Sequence, residues 1–462
     1  MMTLSLAVRN LLRNRRRSVS TLLALCIGSV AVLLFGGYSA NIKYSMQTGY
    51  VRSGGHLQIQ HKDFYLYGSG NPGAYGIAEH ERVIQALLAD PVLKPLVVVA
   101  TPTLQFGGIA GNYAAGVSRT IIGSGFVAAD VNRMRRWNEF DLPMDTPRSA
   151  LEGAPLDAAI VGVGVARVLQ LCEPLAVADC PKPETEKTAP GAALPDDIAA
   201  LAADEKPQQA KRGKATIELL ATNPGGAPNV AALNVVQTES QGFKELDEVA
   251  VILQYAQAQQ LVFGRSPAKA SAIMVQLQHG HQIPAAMDRL HELLPTIAPR
   301  QRLTVLDFEM LNPFYVQTLQ LFDAIFGFIF VLIGGIVLFT VSNTMNTAVI
   351  ERTTEIGTLR AVGLRRSGIR RLFVTEGLLL GAAGALLGAV LALLIAGVVN
   401  QLHLTWLPPG SAEPLPLILR VWSEQRMLVG TTVGLVLIAA ISAWLPAYRA
   451  ANLQVVDALR HT

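Results

Sequence analysis

The stretch ERTTEIGTLRAVGLRRSGIRR, residues 351–371, sets two acids (Glu351, Glu355) among six arginines (Arg352, Arg360, Arg365, Arg366, Arg370, Arg371). Charged groups at that density can hold a metal or a reacting proton, pair with one another, or meet a partner. Metal chemistry finds little support: no H-E-x-x-H or paired C-x-x-C occurs, and His279-x-His281, shortly before Pro284, reads as a solvated turn. His56, His61, His80 and His291 are scattered. Hydrolysing a nucleotide within the chain would take a G-x-x-x-x-G-K-S/T loop to cradle the phosphates, and the sequence has none. GVGVAR (162–167) lacks the full glycine pattern and acidic partner of a dinucleotide loop and reads as part of a helix. A G-x-S-x-G elbow is also missing, so no catalytic residue, metal ligand or cofactor site is expected. Pairing and recognition remain. Glu351 and Glu355 stand i,i+4, Glu355 is followed by Arg360, and Ile356, Leu359 and Val362 fall three apart along one side of a short helix that Gly363 would end.

That charged run lies between stretches suited to lipid. The 462 residues are 51% hydrophobic and 16% charged, where soluble domains run near about 25% charged. Uncharged apolar runs of the roughly 20 residues that a bilayer-crossing helix needs occur at 18–42, 324–349, 377–399 and 427–445. The first follows Arg13, Arg15, Arg16 and Arg17, but it exceeds the core of a secretory signal and no A-x-A site follows, so it is expected to stay as an anchor. Residues 1–40 carry five arginines and no acid, and short cytoplasmic loops retain arginine, which puts them and 350–371 inside. Residues 41–315 hold 23 Lys and Arg against 27 Asp and Glu, a net −4, and the remainder 15 against 7, a net +8. The expected order is a cytoplasmic segment 1–17, a span 18–42, an outer domain 43–315, a second span within 316–349, a cytoplasmic charged helix and basic loop 350–371, a third span within 372–400, an outer loop 401–426, a fourth span 427–446 and a cytoplasmic tail 447–462. Asp323 and Glu376, at the ends of the second and third spans, are functional candidates by position. The residue four before Glu376 is the apolar Leu372, so a loose ion pair with Arg370 or Arg371 at the membrane surface is expected for it, and simple reach to the interface for Asp323.

Within 43–315, HLQIQH, EHERVIQALLADP and LVVVATPTLQF read as strand, helix and strand, and SAIMVQLQ, IPAAMDRLHELLP and RLTVLDF repeat that order near its end. One α+β domain built from both ends, with other material inserted between, is the expectation. Residues 239–262 read as a turn, a strand and a helix, and the Pro-, Ala- and Lys-rich run 181–214 as a mobile loop. Cys172 and Cys180, if that compartment is oxidising, could close a small disulfide loop, and Cys26 is an inert residue of the first span. Gly377, Gly381, Gly384 and Gly388 give small-xxx-small spacings, which favour close helix packing within the chain over a dimer seam.

ERTTEIGTLRAVG followed by IRRLFVTEG, PAYRAANLQVVDALR (446–460), LAVRNLLRNRRR (6–17), GGHLQIQ and, more loosely, ELDEVAVILQYAQAQQL together resemble the FtsX-like permeases of the MacB and lipoprotein-releasing (Lol) type of ABC transporter. The resemblance fades across 110–235. It implies an α-helical membrane protein of four transmembrane helices with a large α+β, MacB-like periplasmic domain carrying an inserted subdomain, in the bacterial inner membrane. In that family the segment after the second span looks like a coupling helix that docks on a separate ATPase, which by resemblance assigns the contact to Glu351, Arg352, Glu355, Ile356, Leu359, Arg360 and Gly363. ATP and Mg would then be bound by the partner ATPase and none in this chain, in keeping with the missing phosphate loop. The implied partners are that ATPase, a second permease copy or paralogue, the lipid membrane, and a periplasmic adaptor or lipoprotein carrier, with no nucleic acid. The implied action is mechanotransmission to the outer domain by a non-catalytic subunit, with lipoprotein release as the first assignment, MacB-like efflux as the second and control of a cell-wall hydrolase as a third.

Overall fold

The computed structural model describes residues 2–13, 15–68, 74–143, 147–178, 180, 215–407 and 414–454. The loop expected at 181–214 lies outside the described residues. In chain order the elements are α1 (Met2–Arg13), α2 (Arg15–Gly54), β1 (Leu57–His61), α3 (His80–Ala89), β2 (Val97–Asn112), β3 (Val117–Phe126), β4 (Ala158–Val161), α4 (Val163–Val168), β5 (Thr216–Thr222), β6 (Pro228–Thr238), β7 (Ala250–Gln254), α5 (Tyr255–Phe263), β8 (Ala272–Leu277), α6 (Ile283–Ile297), β9 (Leu303–Asp307), α7 (Pro313–Glu351), α8 (Thr353–Ala361), α9 (Arg366–Gln401) and α10 (Gln425–Asn452). Two compact units result: Met1–Ser45 with Phe314–Trp406 and Leu415–Thr462, and Met46–Pro313 with Leu407–Pro414.

In the helical unit, α2, α7, α9 and α10 are each long and apolar enough to cross a membrane. Every expected apolar run falls inside one of them, and the helices run on past its ends: α2 alone has 40 residues, about 60 Å at 1.5 Å per residue. Leu25, Val337, Val341, Met345, Phe373, Leu380, Leu435, Ala439 and Ala443 form the core. Phe328, Val331, Phe339, Leu394, Ile441 and Trp444 point outward, as suits a lipid-facing surface. The glycines of α9 let its neighbours touch backbone. A Cβ at Gly377 would stand 2.4 Å from Ala443 Cβ and one at Gly381 2.6 Å from Ala439 Cβ, both on α10. At Gly384 and Gly388 it would stand 2.5 Å from Leu25 Cβ and Ser29 Cβ of α2. One small-residue stripe thus seats two helices within the chain.

The second unit is built on a sheet ordered β3-β7-β4-β6-β5-β2-β8-β1-β9, in which β3 also pairs with β2. That extra pairing closes β2, β3, β7, β4, β6 and β5 into a ring, possible because β2 has 16 residues: its first half pairs with β8 and its second with β3 and β5. Leu104, Ile121, Ile217, Leu219, Leu233, Val251 and Leu253 fill the ring with Val165 and Leu261 from α4 and α5. The remaining strands β2, β8, β1 and β9 pair antiparallel. With α3 and α6 they make a split βαβ layer in the order fourth, first, third, second. Leu57, Ile59, Ile273 and Val275 form its core with Val83, Leu87, Leu290 and Leu294 from the two helices. The two strand-helix-strand readings thus lie side by side in one sheet, and the ring is the inserted material. GVGVAR is the short helix α4, whose Gly162 must stay small because a Cβ there would meet Asp247 O at 2.2 Å. A disulfide joins Cys172 to Cys180, with Cα atoms 6.2 Å apart.

Candidate coupling site

Between α7 and α9 the chain breaks twice. At Arg352 the backbone leaves the helical region (φ −109°, ψ 18°) and α8 starts in a new direction, with Ile356 N–H donating to Arg352 O at 2.9 Å. At the far end Gly363 sits at φ +104°, where a side chain would be strained. Gly363 N–H donates to Arg360 O (3.1 Å) and Leu364 N–H to Leu359 O (3.0 Å), the paired bonds of a Schellman stop. The expected basic loop is mostly helix: Arg366, Arg370 and Arg371 lie in the opening turns of α9, because Arg365 is extended and the helix restarts directly after it.

The residues assigned to coupling by resemblance divide into an inner and an outer set. Arg352 and Ile356 face inward, Ile356 within the helical core. Arg352 Nη1 donates to both oxygens of Glu376, at 3.0 and 3.3 Å, and its Nη2 donates to Asn10 O at 3.1 Å. Asn10 Nδ2 closes the triangle by donating to Glu376 Oε1 at 2.6 Å. This corrects the sequence expectation for Glu376: its partner is Arg352, 24 residues away, and not Arg370 or Arg371, and the pair is buried, with 1% of the Glu376 side chain exposed. The antiparallel turn from α7 into α9 sets 352 beside 376, a proximity that helical spacing along α9 could not reveal.

Glu351, Glu355, Leu359 and Gly363 face outward with Val362 and Leu364. Ile356, Leu359 and Val362 therefore do not share a side: six residues turn an α-helix by about 240°, so burying Ile356 exposes Val362. Glu355 meets Arg13 Nη2 at 2.8 Å and Glu351 meets Arg17 Nη1 at 2.7 Å. The hydrogen bond from Arg13 holds the Glu355 carboxyl below the usual carboxylate range. Arg360 Nη1 donates to Leu453 O, tying α8 to the end of α10. The result is a short helix pinned at its base by buried and half-exposed charge pairs, presenting a small apolar ridge. Asp323 is exposed and lines a cavity of about 210 Å³ with Ser39, Lys43, Phe326, Glu424 and Met427. His279 and His281 stack at 5.4 Å, and among the described residues no three His, Cys, Asp or Glu side chains converge as a metal site would require. Sequence reading missed Asn10, Arg13 and Arg17 at this site, because nothing in a lone helix announces which later acids it will meet.

Four membrane-length helices with a charge-pinned helix between the second and third define an α-helical membrane protein with a fixed turn between its middle spans. Residues 324–455 match the FtsX-like permease C-terminal family, and the chain is similar in sequence to ABC transporter permeases. Its relatives include an uncharacterized ABC transporter permease of Methanocaldococcus jannaschii, 26% identical over 221 residues, 46% of this chain and 51% of that one. The macrolide export ATP-binding/permease protein MacB of Escherichia coli (strain K12) is 40% identical over 143 residues, 31% of this chain and 20% of that one. The chain thus spans about half the length of the first of these relatives and a fifth of the second. Among solved structures, the periplasmic region of MacB from Actinobacillus actinomycetemcomitans is 10% identical with a TM-score of 0.30, covering 57% of this chain and 94% of that one.

Proposed function

We propose that this protein is the non-catalytic permease subunit of an ABC transporter in the bacterial inner membrane. A separate ATPase subunit binds ATP and Mg and docks on α8, and closure of two ATPases drives α7 and α9 of a permease pair, which passes the motion to the large domain in the periplasm. One observation carries the reading: Leu359 near the end of α8, with Val362 and Leu364 in the capped turn that follows, leaves a ridge of exposed apolar side chains between two spanning helices, Val362 being 84% exposed. Water-exposed apolar side chains on a rigid, well-capped helix are suited to fill a groove in a partner. Val362→Asp tests it. The variant should fold with unchanged thermal unfolding and lose co-purification of a nucleotide-hydrolysing subunit, and continued binding and stimulation would refute the docking site.

The cargo is proposed as a lipidated or hydrophobic molecule released on the outer face, lipoprotein release being the first assignment because GHLQIQ and ELDE resemble that branch. Efflux with a periplasmic adaptor is the second reading, and the 40% identity over 143 residues to a macrolide export protein supports its export half. Mass spectrometry of molecules retained by the purified complex separates them: retained lipoproteins support release, a retained adaptor with small amphiphiles supports efflux, and a bound cell-wall hydrolase would replace both.

A further inference from the structure

The acids that resemblance gives to the ATPase already have partners. Arg13 Nη2 stands 2.8 Å from one oxygen of Glu355 and 2.9 Å from the other, and Arg17 Nη1 stands 2.7 Å from Glu351. Asn10 meets both members of the buried Arg352–Glu376 pair, donating to Glu376 and accepting from Arg352. Asn10 and Arg13 stand three apart near the end of α1, the interval at which side chains share one helical face, and Arg17 lies in the first turn of α2. Their partners come from the end of α7, the junction at Arg352, α8 and α9. A single N-terminal segment thus meets the end of α7, the junction at Arg352, the first turn of α8 and α9.

We propose that α1 and the opening of α2 form a strap that positions α8, with Arg13 and Arg17 supplying the counter-charges of Glu355 and Glu351. This rests on the docking reading above and changes its chemistry. The ATPase would meet the apolar ridge of Leu359, Val362 and Leu364, while Glu351 and Glu355 act through the strap as positioning residues. Both outer pairs are about half exposed, and exposed pairs contribute little to global stability. Two half-exposed pairs beside the part-buried Asn10 contact fit a role in setting the angle of α8 better than a role in holding the fold.

A charge exchange at one contact tests the strap. Arg13→Glu, Glu355→Arg and the double variant are purified with the ATPase in lipid nanodiscs, and stimulated ATP hydrolysis and thermal unfolding are measured. Each single reversal should lower stimulation about tenfold, within the roughly 5- to 150-fold span of measured couplings between sites, with unfolding unchanged. The exchange should bring stimulation back to within about threefold of the parent, because neighbouring residues act on each other and not on a third party. If a cation of the ATPase were the true partner of Glu355, the exchange would stay as low as Glu355→Arg alone, and Arg13→Glu alone would leave stimulation intact; either result overturns the strap. Val362→Asp is run alongside. If it releases the ATPase while the exchange fails to rescue, the strap falls and the docking site stands. If it leaves the ATPase bound and stimulated, both fall.

Discussion

Taking a guanidinium and a carboxylate out of water costs several kcal/mol each, and Arg352 with Glu376 recovers this through two mutual bonds and two more to Asn10. Removing one partner strands the other. Arg352→Met should therefore destabilise the protein by about 3–5 kcal/mol, while Arg352→Met with Glu376→Leu should regain most of that, since an apolar pair of similar volume carries no desolvation cost. Thermal unfolding in detergent checks this, and a single variant as stable as the parent would show the pair to be solvated. His56 is a second buried titratable group, edge-on to Trp137 at 4.8 Å, its Nδ1 accepting from Leu277 N–H. Burial, helped by the charge of His279, holds its pKa down to about 4 from the usual 6.5. The folded form thus wants the ring neutral: stability is fully present above pH 6.5 and falls as pH drops through the window from 6.5 to 4, by about 3 kcal/mol when protonation is complete. Burial lowers His80 in the same direction, so His56→Asn, which keeps an acceptor for Leu277, should flatten part of the slope and not all of it. Trp137 fluorescence of the full chain between pH 7.5 and 4.5 reads it, and an unchanged slope in His56→Asn would remove His56 as its source. Neither residue's role could be read from the sequence. A lone His after a glycine pair and a lone Glu near a span end look alike whether buried or exposed, until the tertiary partner is known.

Among the elements, α9 shows what a small-residue stripe does where helices gain no hydrophobic advantage from meeting in lipid: it admits the neighbour's backbone. Gly381→Val should cost about 1–3 kcal/mol through overpacking, because Ala439 Cβ already occupies the space. Gly397→Ala, with nothing within 4 Å, is the control and should be neutral or slightly stabilising. Equal thermal shifts for the two would deny the stripe its packing role. That stripe was legible because its signal is purely sequential, four glycines at a helical repeat. The split βαβ layer was legible for the same reason, its strand and helix periods alternating twice. The ring was not. TIELLAT and PNVAALNVVQT flank Asn223-Pro224-Gly225-Gly226-Ala227 and form the β5–β6 hairpin, in which Asn223 Oδ1 accepts from the N–H groups of Gly225 and Ala227. The turn chemistry was present, but closing the ring depends on β2 being long enough to change partners along its length, and strand length is poorly marked where Gly107, Gly108 and Gly111 interrupt the apolar alternation.

At the scale of the whole molecule, charge placement and chain order predict that the β-rich unit and α8 are exposed on opposite sides of the membrane. The five arginines of residues 1–40 and the six of 351–371 favour a cytoplasmic location for the short segments around α1 and α8, since positive residues near span ends resist translocation. The cysteines offer a clean background for checking it. Cys26 is buried and Cys172 is bonded to Cys180, so among the three cysteines of the chain no free thiol lies exposed. A cysteine introduced at exposed Ala227, in the β5–β6 turn, should react with a membrane-impermeant maleimide in cells whose outer barrier has been opened. One at exposed Ala361, beside the apolar ridge, should react only after the inner membrane is breached. Reversal of the two patterns would place α8 outside, where no ATP is available to a docked ATPase, and the coupling reading could not survive it. Reaction at Ala361→Cys that is slowed when the ATPase is co-expressed would go further, since protection at that residue requires the partner to cover the ridge itself.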